Sequence, residues 1–356
     1  MLAFHPLTLR RRMPIAEDAV CLEFEPPAEL AEAYQFEAGQ HLAVRAVLGG
    51  RELRRTYSIV NAAGGGLRIG VRVQGELSRY LAEQLKVGER LEALEPLGRF
   101  KPTIDPARAR FYVALAAGSG ITPVLSIVST LLAAEPGSRV FLVYGNRSIA
   151  RTMFLDELLA LKDRYLSRLT VHFVMSREPQ DLELFNGRLD APRLRELARS
   201  EFDPRKVDEF FICGPGRMVK ELSAALVELG ATGKIHVERF AVSASSGDVI
   251  AEAPPRAAPA AGIGGATVGV TIDGRRRTFR MVAGGTILES AEAAGLALPY
   301  SCRAGVCSTC RARVVEGTVT MDRNQALEDW EVDAGFVLCC QSRPAGDRVE
   351  ITYDEK

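Results

Sequence analysis

The sequence predicts three folded modules: a β-rich barrel or sandwich, an α/β module with a parallel sheet, and a compact C-terminal module. Three observations support this division. The chain has 356 residues, which exceeds the roughly 100–200 residues of a single domain. Near Ala109, short apolar runs punctuated by Pro and Gly give way to apolar runs that alternate with helical patterns. Five of the seven cysteines fall in the last 55 residues.

The composition is that of a globular chain, with 47% hydrophobic and 25% charged residues. Lys plus Arg number 45, as do Asp plus Glu. Proteins that bind nucleic acid or anionic membranes need a basic excess or patch, so we expect neither partner. No secretory signal is visible, and the uncharged stretch 111–134 is interrupted by Gly and Pro, which argues against a membrane helix. We therefore expect a cytoplasmic protein.

The first module, over residues 1–105, is predicted to be an antiparallel β-barrel or sandwich because short strand-like runs recur between turn residues. These runs are 19–24, 41–47, 56–60 and 67–73.

The second module, over residues 106–240, is predicted to be α/β, with a parallel sheet covered by helices on both faces. Its strand-like runs are 111–116, 140–144, 170–175 and 210–213, and its helical patterns are 122–134, 153–165, 191–199 and 215–229. Residues 241–265 are largely Ala, Ser, Pro and Gly, a composition typical of a flexible linker. The third module then covers residues 266–356.

The cysteine cluster in the third module indicates a metal site. Four residues separate Cys302 from Cys307, two separate Cys307 from Cys310, and a further Cys follows about thirty residues later. This is the plant-type spacing of a [2Fe–2S] cluster, whereas zinc sites favour paired Cys-x2-Cys segments. Gly305 permits the tight curvature that such a loop requires. From the spacing alone, the fourth ligand is either Cys339 or Cys340.

Two glycine-containing turns in the second module indicate nucleotide binding. Gly118-Ser-Gly120-Ile-Thr122 and Cys213-Gly214-Pro215 each follow a predicted strand and precede a predicted helix. Both therefore belong at the carboxyl edge of the parallel sheet, where such folds bind ligands. A glycine turn before a helix lets the backbone approach a pyrophosphate, although this spacing differs from Gly-x-Gly-x-x-Gly.

Longer motifs make the family resemblance plain. The segment 299–310, with Met321, Asn324 and 335–341, resembles a plant-type ferredoxin domain, which implies a β-grasp fold and places the fourth ligand at Cys340. The two glycine turns, with Tyr144-Gly-Asn-Arg147, resemble the NAD(P)-binding domain of the ferredoxin–NADP reductase superfamily. Arg55-Thr-Tyr57-Ser58, lying before that domain, matches the superfamily's FAD motif.

The resemblance implies a set of site residues. A tyrosine can pack on a flavin while an arginine neutralises its diphosphate. FAD is expected at Arg55, Tyr57, Ser58, Arg72, Gly75 and Ser78, with Phe240 against the flavin face. The nucleotide is expected at Gly118, Gly120, Thr122, Arg147, Gly214 and Pro215, with Cys213 and Glu238 as catalytic neighbours of the nicotinamide. Because no acid stands beside Arg147, we expect NADPH, with NADH left open.

The domain order implies a reductase that passes electrons from NAD(P)H through FAD and a [2Fe–2S] cluster to an oxygenase component. Further similarity lies in the segments 4–7, 144–147, 153–158 and 186–190. With them, the chain looks most like the reductase component of the phenylacetyl-CoA epoxidase system of phenylacetate degradation. Reductases of steroid or aromatic-ring hydroxylases are the alternative, and a redox sensor without turnover is the alternative of another class. A third is a stand-alone reductase that acts on quinones or ferric chelates. Arg303 and Arg311 flank the cysteines, which predicts a basic rim for an acidic partner surface.

Overall fold

The computed structural model describes residues 3–240 and 265–355. They fall into two compact units: residues 4–53 and 57–240 form the larger, and residues 265–355 form the smaller together with Ala3 and Arg54–Thr56. The predicted linker over 241–265 lies outside the described residues except for Gly265. Within the two described ranges, no helix is long and apolar enough to cross a membrane.

The N-terminal module has six strands and a short helix, which a π-helical turn over Tyr80–Gln84 continues. They are β1 His5–Ala16, β2 Ala19–Glu25, β3 His41–Leu48, β4 Arg51–Ser58, β5 Leu67–Arg72, α1 Glu76–Arg79 and β6 Arg90–Ala93. The strand order is β4-β3-β6-β1-β2-β5, and Ile59, just beyond β4, bridges Ile69 of β5, which closes the sheet. Leu7 and Leu9 of β1 are buried and project to the same face, as the two-residue period of a strand requires. The predicted antiparallel barrel is confirmed.

The second module is a five-stranded parallel sheet with helices on both faces, as predicted. Its elements are β7 Phe111–Ala117, α2 Ile121–Ala134, β8 Arg139–Asn146, α3 Leu155–Arg164, β9 Leu169–Met175, α4 Ala191–Ser200, β10 Glu209–Pro215, α5 Gly216–Glu228 and β11 Lys234–Phe240. The strand order is β11-β10-β7-β8-β9. Along β7, Tyr112 and Ala114 enter one core while Val113 and Leu115 enter the other.

The barrel and the parallel-sheet module share one hydrophobic core. Ala19 and Cys21 of β2 belong to the same buried cluster as Ile121 and Val124 of α2 and as Phe154. Burial raises the pKa of Cys21 to about 11, so its thiol is protonated at neutral pH and serves packing. This shared core explains why the two N-terminal modules form a single compact unit.

A buried polar network lies at the amino-terminal end of the parallel sheet. Glu135 is fully buried and accepts hydrogen bonds from the Tyr112 hydroxyl at 2.8 Å, the Ser138 hydroxyl at 2.6 Å and the Asp105 amide at 2.9 Å. Three donors satisfy the carboxylate that burial would otherwise penalise. The network therefore anchors the edge of the sheet opposite the glycine turns.

The C-terminal module is a β-grasp sheet with a short helix packed on it. Its elements are β12 Thr267–Ile272, β13 Arg275–Arg280, α6 Ile287–Ala293, β14 Arg311–Glu316, β15 Val319–Met321, α7 Asp329–Asp333, β16 Phe336–Leu338, β17 Ser342–Pro344 and β18 Arg348–Thr352. The main sheet has the order β13-β12-β18-β14-β16, with β12 and β18 parallel. Ile287 and Leu288 of α6 are buried in the core of this module. The cysteine loop joins α6 to β14.

Candidate redox site

Two glycine-containing turns meet at the carboxyl edge of the parallel sheet. Gly118–Gly120 joins β7 to α2, and the second turn follows Cys213 at the end of β10. Strands β7 and β10 are neighbours, with Cys213 opposite Ala116. A Cβ on Gly120 would lie 2.2 Å from the Cys213 carbonyl oxygen, so only glycine allows this approach. The two predicted turns thus form one continuous surface, with Gly214 and Pro215 on its β10 side.

The polar groups at this edge fit a bound dinucleotide. Helix α2 begins directly after Gly120, and a helix N-terminus stabilises phosphate. The Thr122 hydroxyl donates to the Ser119 carbonyl oxygen at 2.9 Å, which holds the turn. The Asn146 side-chain amide is buried and forms no hydrogen bond of normal geometry within the described residues, although the Tyr144 hydroxyl lies beside it. A bound nucleotide would supply the partners that a buried amide needs.

Cys213 and Glu238 lie side by side on β10 and β11. The parallel register places them opposite each other, with Sγ 3.8 Å from Oε2. Burial raises the pKa of Glu238 to about 8. Burial and the neighbouring carboxyl raise the pKa of Cys213 well above its ordinary value. Both groups are therefore protonated at neutral pH. Phe240, opposite Pro215, ends β11 at the same edge.

The predicted flavin residues of the FAD motif lie on β4. Tyr57 packs against the barrel core and Ser58 is buried. Arg55 is exposed and donates through Nη1 to the Arg54 carbonyl oxygen at 2.7 Å. A guanidinium has five donors, so Arg55 retains donors for a diphosphate.

The turn before α1 is shaped by Ser78. Its hydroxyl accepts hydrogen bonds from the amides of Gln74 and Gly75, both at 2.9 Å, and donates to the Gly75 carbonyl oxygen. A Cβ on Gly75 would meet no atom within 4 Å, and the residue has φ −160°, an extended backbone. Neither space nor backbone therefore requires glycine here, and the contacts of Gly75 and Ser78 with FAD stay a prediction.

Arg72 reaches from the barrel to the first glycine turn. Its Nη2 donates to the Arg151 carbonyl oxygen at 2.6 Å, and its Nε lies 3.5 Å from Asp18 Oδ1. A Cβ on Gly118 would lie 3.4 Å from Arg72 Nη1. The arginine expected at the flavin phosphates thus also borders the turn expected to receive the nucleotide phosphates.

Two arginines follow adjacent strands at the same sheet edge. Arg147 follows β8, and Arg177 follows β9, where its amide donates to the Arg147 carbonyl oxygen at 2.9 Å. Sequence reasoning missed Arg177, although its place after a predicted strand of the same sheet was an available signal. Arg151, by contrast, pairs with Asp18 and with Glu17, the latter at 3.0 Å, so its charge is compensated within the protein.

The cysteine loop turns through left-handed backbone at three positions. Arg303, Gly305 and Ser308 have φ values of 53°, 74° and 50°. Non-glycine residues rarely adopt this conformation, and those that do cluster at functional sites. A Cβ on Gly305 would lie 3.0 Å from the Arg323 carbonyl oxygen. The Ala304 amide, which the curvature turns inward, donates to Cys302 Sγ at 3.3 Å.

The four predicted ligands lie as two pairs, Cys302 with Cys307 and Cys310 with Cys340. The hydrogen bond from Cys307 lowers the pKa of Cys302 to about 5, and that from Cys310 lowers the pKa of Cys340. Each pair therefore contains a sulfur that favours the thiolate, the form that binds metal. Among residues 3–240 and 265–355, no group of three or more His, Cys, Asp or Glu surrounds a single-ion site. Two cysteine pairs fit the two irons of a [2Fe–2S] cluster.

Cys339 lies in the core of the C-terminal module, beside Tyr353. It is fully buried, and burial raises its pKa to about 12. Its amide donates to the Cys310 carbonyl oxygen at 3.0 Å. This arrangement supports Cys340, rather than Cys339, as the fourth ligand.

The predicted basic rim beside the cysteines is wrong for Arg311. Its side chain is largely buried, pairs with Glu331 at 2.9 Å and stacks over the Phe336 ring at 3.4 Å. Arg303 pairs with Glu292. Acidic side chains from α6 and α7 thus compensate the charges of both arginines. They lie outside the cysteine segment, so the residues around the cysteines did not predict these ion pairs.

Family comparisons match each module in turn. Residues 6–101 match an oxidoreductase FAD-binding domain, residues 114–224 an oxidoreductase NAD-binding domain, and residues 270–345 a 2Fe-2S iron-sulfur cluster binding domain. These are the barrel, the sheet with its glycine turns, and the cysteine loop. The fold and the site define a flavin-dependent iron–sulfur oxidoreductase that uses a nicotinamide nucleotide.

Similarity extends over the whole chain. It is 39% identical to a subunit of the 1,2-phenylacetyl-CoA epoxidase of Escherichia coli (strain K12), across 100% of this chain and 99% of that protein. It is 32% identical to the ferredoxin reductase component of 3-ketosteroid-9-alpha-monooxygenase of Rhodococcus rhodochrous, across 98% and 96%. The solved phthalate dioxygenase reductase shares the fold, with TM-score 0.58 and 24% identity over 98% of each chain. The chain belongs to the ferredoxin–NADP reductase superfamily, in the family of oxygenase reductase components with a C-terminal plant-type ferredoxin domain.

Proposed function

We propose that this chain is the reductase component of a phenylacetyl-CoA epoxidation system and takes its electrons from NADPH. The observation that carries the proposal is the 39% identity, from end to end, with the matching protein of the E. coli epoxidase. The proposal includes the domain boundaries 1–105, 106–240 and 266–356, a cytoplasmic location and an oxygenase component as the electron acceptor. The absence of a nucleic-acid or membrane partner stays a prediction from composition.

Each group of residues has a defined task in this proposal. FAD and the [2Fe–2S] cluster, when bound, supply the conversion of a two-electron hydride donor into single electrons. Arg55 and Arg72 neutralise phosphates, and the Gly118–Gly120 turn offers backbone amides at the start of α2. Cys213 and Glu238 keep their protons and so present a neutral, hydrogen-bonding wall where the nicotinamide is expected.

The acceptor is tested by reconstitution. The purified chain, loaded with FAD and its cluster, is mixed with NADPH and either a phenylacetyl-CoA epoxidase oxygenase component or a steroid monooxygenase oxygenase component. We expect epoxide formation from phenylacetyl-CoA to exceed steroid hydroxylation. The reverse order would favour the second candidate, which rests on the 32% identity with the steroid monooxygenase reductase. Rapid NADPH-dependent reduction of cytochrome c would exclude a redox sensor without turnover.

The coenzyme preference is tested at the two arginines. Arg147→Ala and Arg177→Ala should each raise the KM for NADPH about 10- to 100-fold, because each removes a charge-assisted contact with the 2′-phosphate. The KM for NADH, which lacks that phosphate, should not change. Arg199→Ala, at an exposed position on α4, is the matched control. An equal increase in the KM values for NADPH and NADH would contradict the 2′-phosphate assignment.

A further inference from the structure

One face of the barrel packs directly against the nucleotide-binding module. Strands β2 and β5 pair with Ala19 opposite Arg72, Cys21 opposite Gly70 and Glu23 opposite Arg68. Directly opposed residues in an antiparallel ladder project to the same side of the sheet. Ala19 and Cys21 enter the core shared with α2. The centre of this face therefore consists of small residues, with charged residues towards its ends.

Gly70 is the point of closest approach on this face. A Cβ there would lie 2.7 Å from Thr122 Cγ2, 2.8 Å from Phe154 Cε2 and 3.1 Å from Met153 Cε. Gly70 lies inside a regular strand, so its backbone does not demand glycine. The demand comes from the neighbouring module, whose side chains occupy the space that a methyl group would need.

Polar contacts fix the two ends of β5. Arg68 forms a bidentate ion pair with Glu157 of α3, at 2.9 and 3.0 Å. Arg72 donates to the Arg151 carbonyl oxygen at 2.6 Å. With both ends held, added volume at Gly70 cannot be relieved by sliding the strand, so it must push the two modules apart or displace the side chains it meets, those of Thr122, Phe154 and Met153.

Thr122 links this face to the candidate redox site. Its hydroxyl donates to the Ser119 carbonyl oxygen at 2.9 Å, inside the turn expected to receive the nucleotide. Gly120 of the same turn packs on the Cys213 carbonyl, where a Cβ would lie at 2.2 Å. Displacement of Thr122 therefore moves the turn and the Cys213–Glu238 pair relative to the barrel.

We propose that Gly70 is a positioning residue for hydride transfer, which sets how closely the glycine turn approaches the flavin-binding barrel. The inference rests on the proposed function, since it requires both cofactors at the sites assigned above. Hydride transfer depends steeply on the separation of its reacting atoms, and displacement by about 1 Å can cost about a hundredfold in rate. The affinity for the nucleotide is spread over many contacts, so it is less sensitive to such a displacement.

The test compares Gly70→Ala with Gly66→Ala in the full, FAD-loaded chain. A Cβ on Gly66 would meet only Glu23 Oε1, at 3.6 Å, so this control adds the same methyl group at an ordinary van der Waals distance. We expect Gly70→Ala to lower the limiting rate of flavin reduction by NADPH about 10- to 100-fold in stopped-flow experiments. The FAD content and the Kd for NADP+ should stay within about twofold of the wild type. Gly66→Ala should behave as the wild type.

A second substitution tests the route through Thr122. Thr122→Ser removes Cγ2 but keeps the hydroxyl, so Gly70→Ala/Thr122→Ser should be reduced faster than Gly70→Ala. Failure of this rescue would overturn the route. An unchanged limiting rate in Gly70→Ala, or a loss confined to Kd, would overturn the role of Gly70. If Gly70→Ala loses FAD, Cys21→Val is tested instead, because it adds volume to the residue opposite Gly70. The same measurements, the limiting rate of flavin reduction and the Kd for NADP+, then decide the role of this face. If neither NADPH nor NADH reduces the flavin of the wild type, the proposed function is refuted instead.

Discussion

Replacing Glu238 with Gln should remove a pH-dependent loss of stability from the protein. Burial raises the pKa of Glu238 from 4.5 to about 8. Between these values, the folded protein holds a proton that the unfolded chain has already released. Because the unfolded state binds fewer protons, the free energy of unfolding falls as the pH rises through this window.

The magnitude follows from the size of the shift. One pH unit inside the window costs up to about 1.4 kcal/mol, so the wild type should lose at most about 3 kcal/mol between pH 6 and pH 8. Glu238 as a residue retains some exposure, which places the expected loss nearer 2 kcal/mol. For a unit of roughly 240 residues, that loss lowers the melting temperature by about 4–8 °C. Gln carries no charge at either pH and lacks this decline.

The assay is thermal unfolding of the FAD-loaded chain, followed by flavin fluorescence at pH 6, 7 and 8. Glu196→Gln on α4, where the native side chain is 53% exposed, is the matched control and should follow the wild type. We expect Glu238→Gln to gain melting temperature relative to the wild type as the pH rises. A difference that stays constant from pH 6 to pH 8 would refute a buried, protonated Glu238.

Two further predictions concern the metal centre and the buried network. Cys340→Ser should abolish cluster incorporation, measured by iron content and visible absorbance, whereas Cys339→Ser should retain it; the opposite result would transfer the ligand role to Cys339. Glu135→Ala should cost about 3 kcal/mol in urea unfolding, because it leaves the Tyr112 and Ser138 hydroxyls without their acceptor. Its limiting rate of flavin reduction should equal that of the wild type, and a large change would mean that the two edges of the sheet are coupled.

Local patterns predicted much of the fold. The apolar run 140–144 lies within β8, Arg139–Asn146, and the helical pattern 122–134 matches α2. Strand β1 was missed. Its first half alternates apolar and polar residues, but Arg10–Arg12 and Pro14 end that alternation after Leu9. Pairing of β1 with β2 and β6 compensates for the poor local signal, and such pairing cannot be read from a window of sequence.

Some features of the candidate site likewise leave a local signal in the sequence, and others do not. The first glycine turn and the cysteine loop impose local backbone demands, so they leave a local signature at Gly118 and Gly305, where φ is 56° and 74°. Gly120 is required instead by the approach of the Cys213 carbonyl from another strand. The position of Arg72 beside Gly118, and the pairing of Arg151 with Asp18, depend on how the barrel packs against the sheet. Contacts between modules leave no periodic pattern in the sequence, so a window of sequence does not predict them.

The shared core decides where this chain can be recombined with its relatives. A chimera joined near residue 105 would set the small-residue face of one barrel, with Cys21 and Gly70, against an α2 that evolved beside another face. The mismatch would either open a void or force a clash of the kind described at Gly70. A junction after Phe240 leaves that core intact. The cysteine-bearing module can therefore be exchanged without disturbing the core that the two N-terminal modules share.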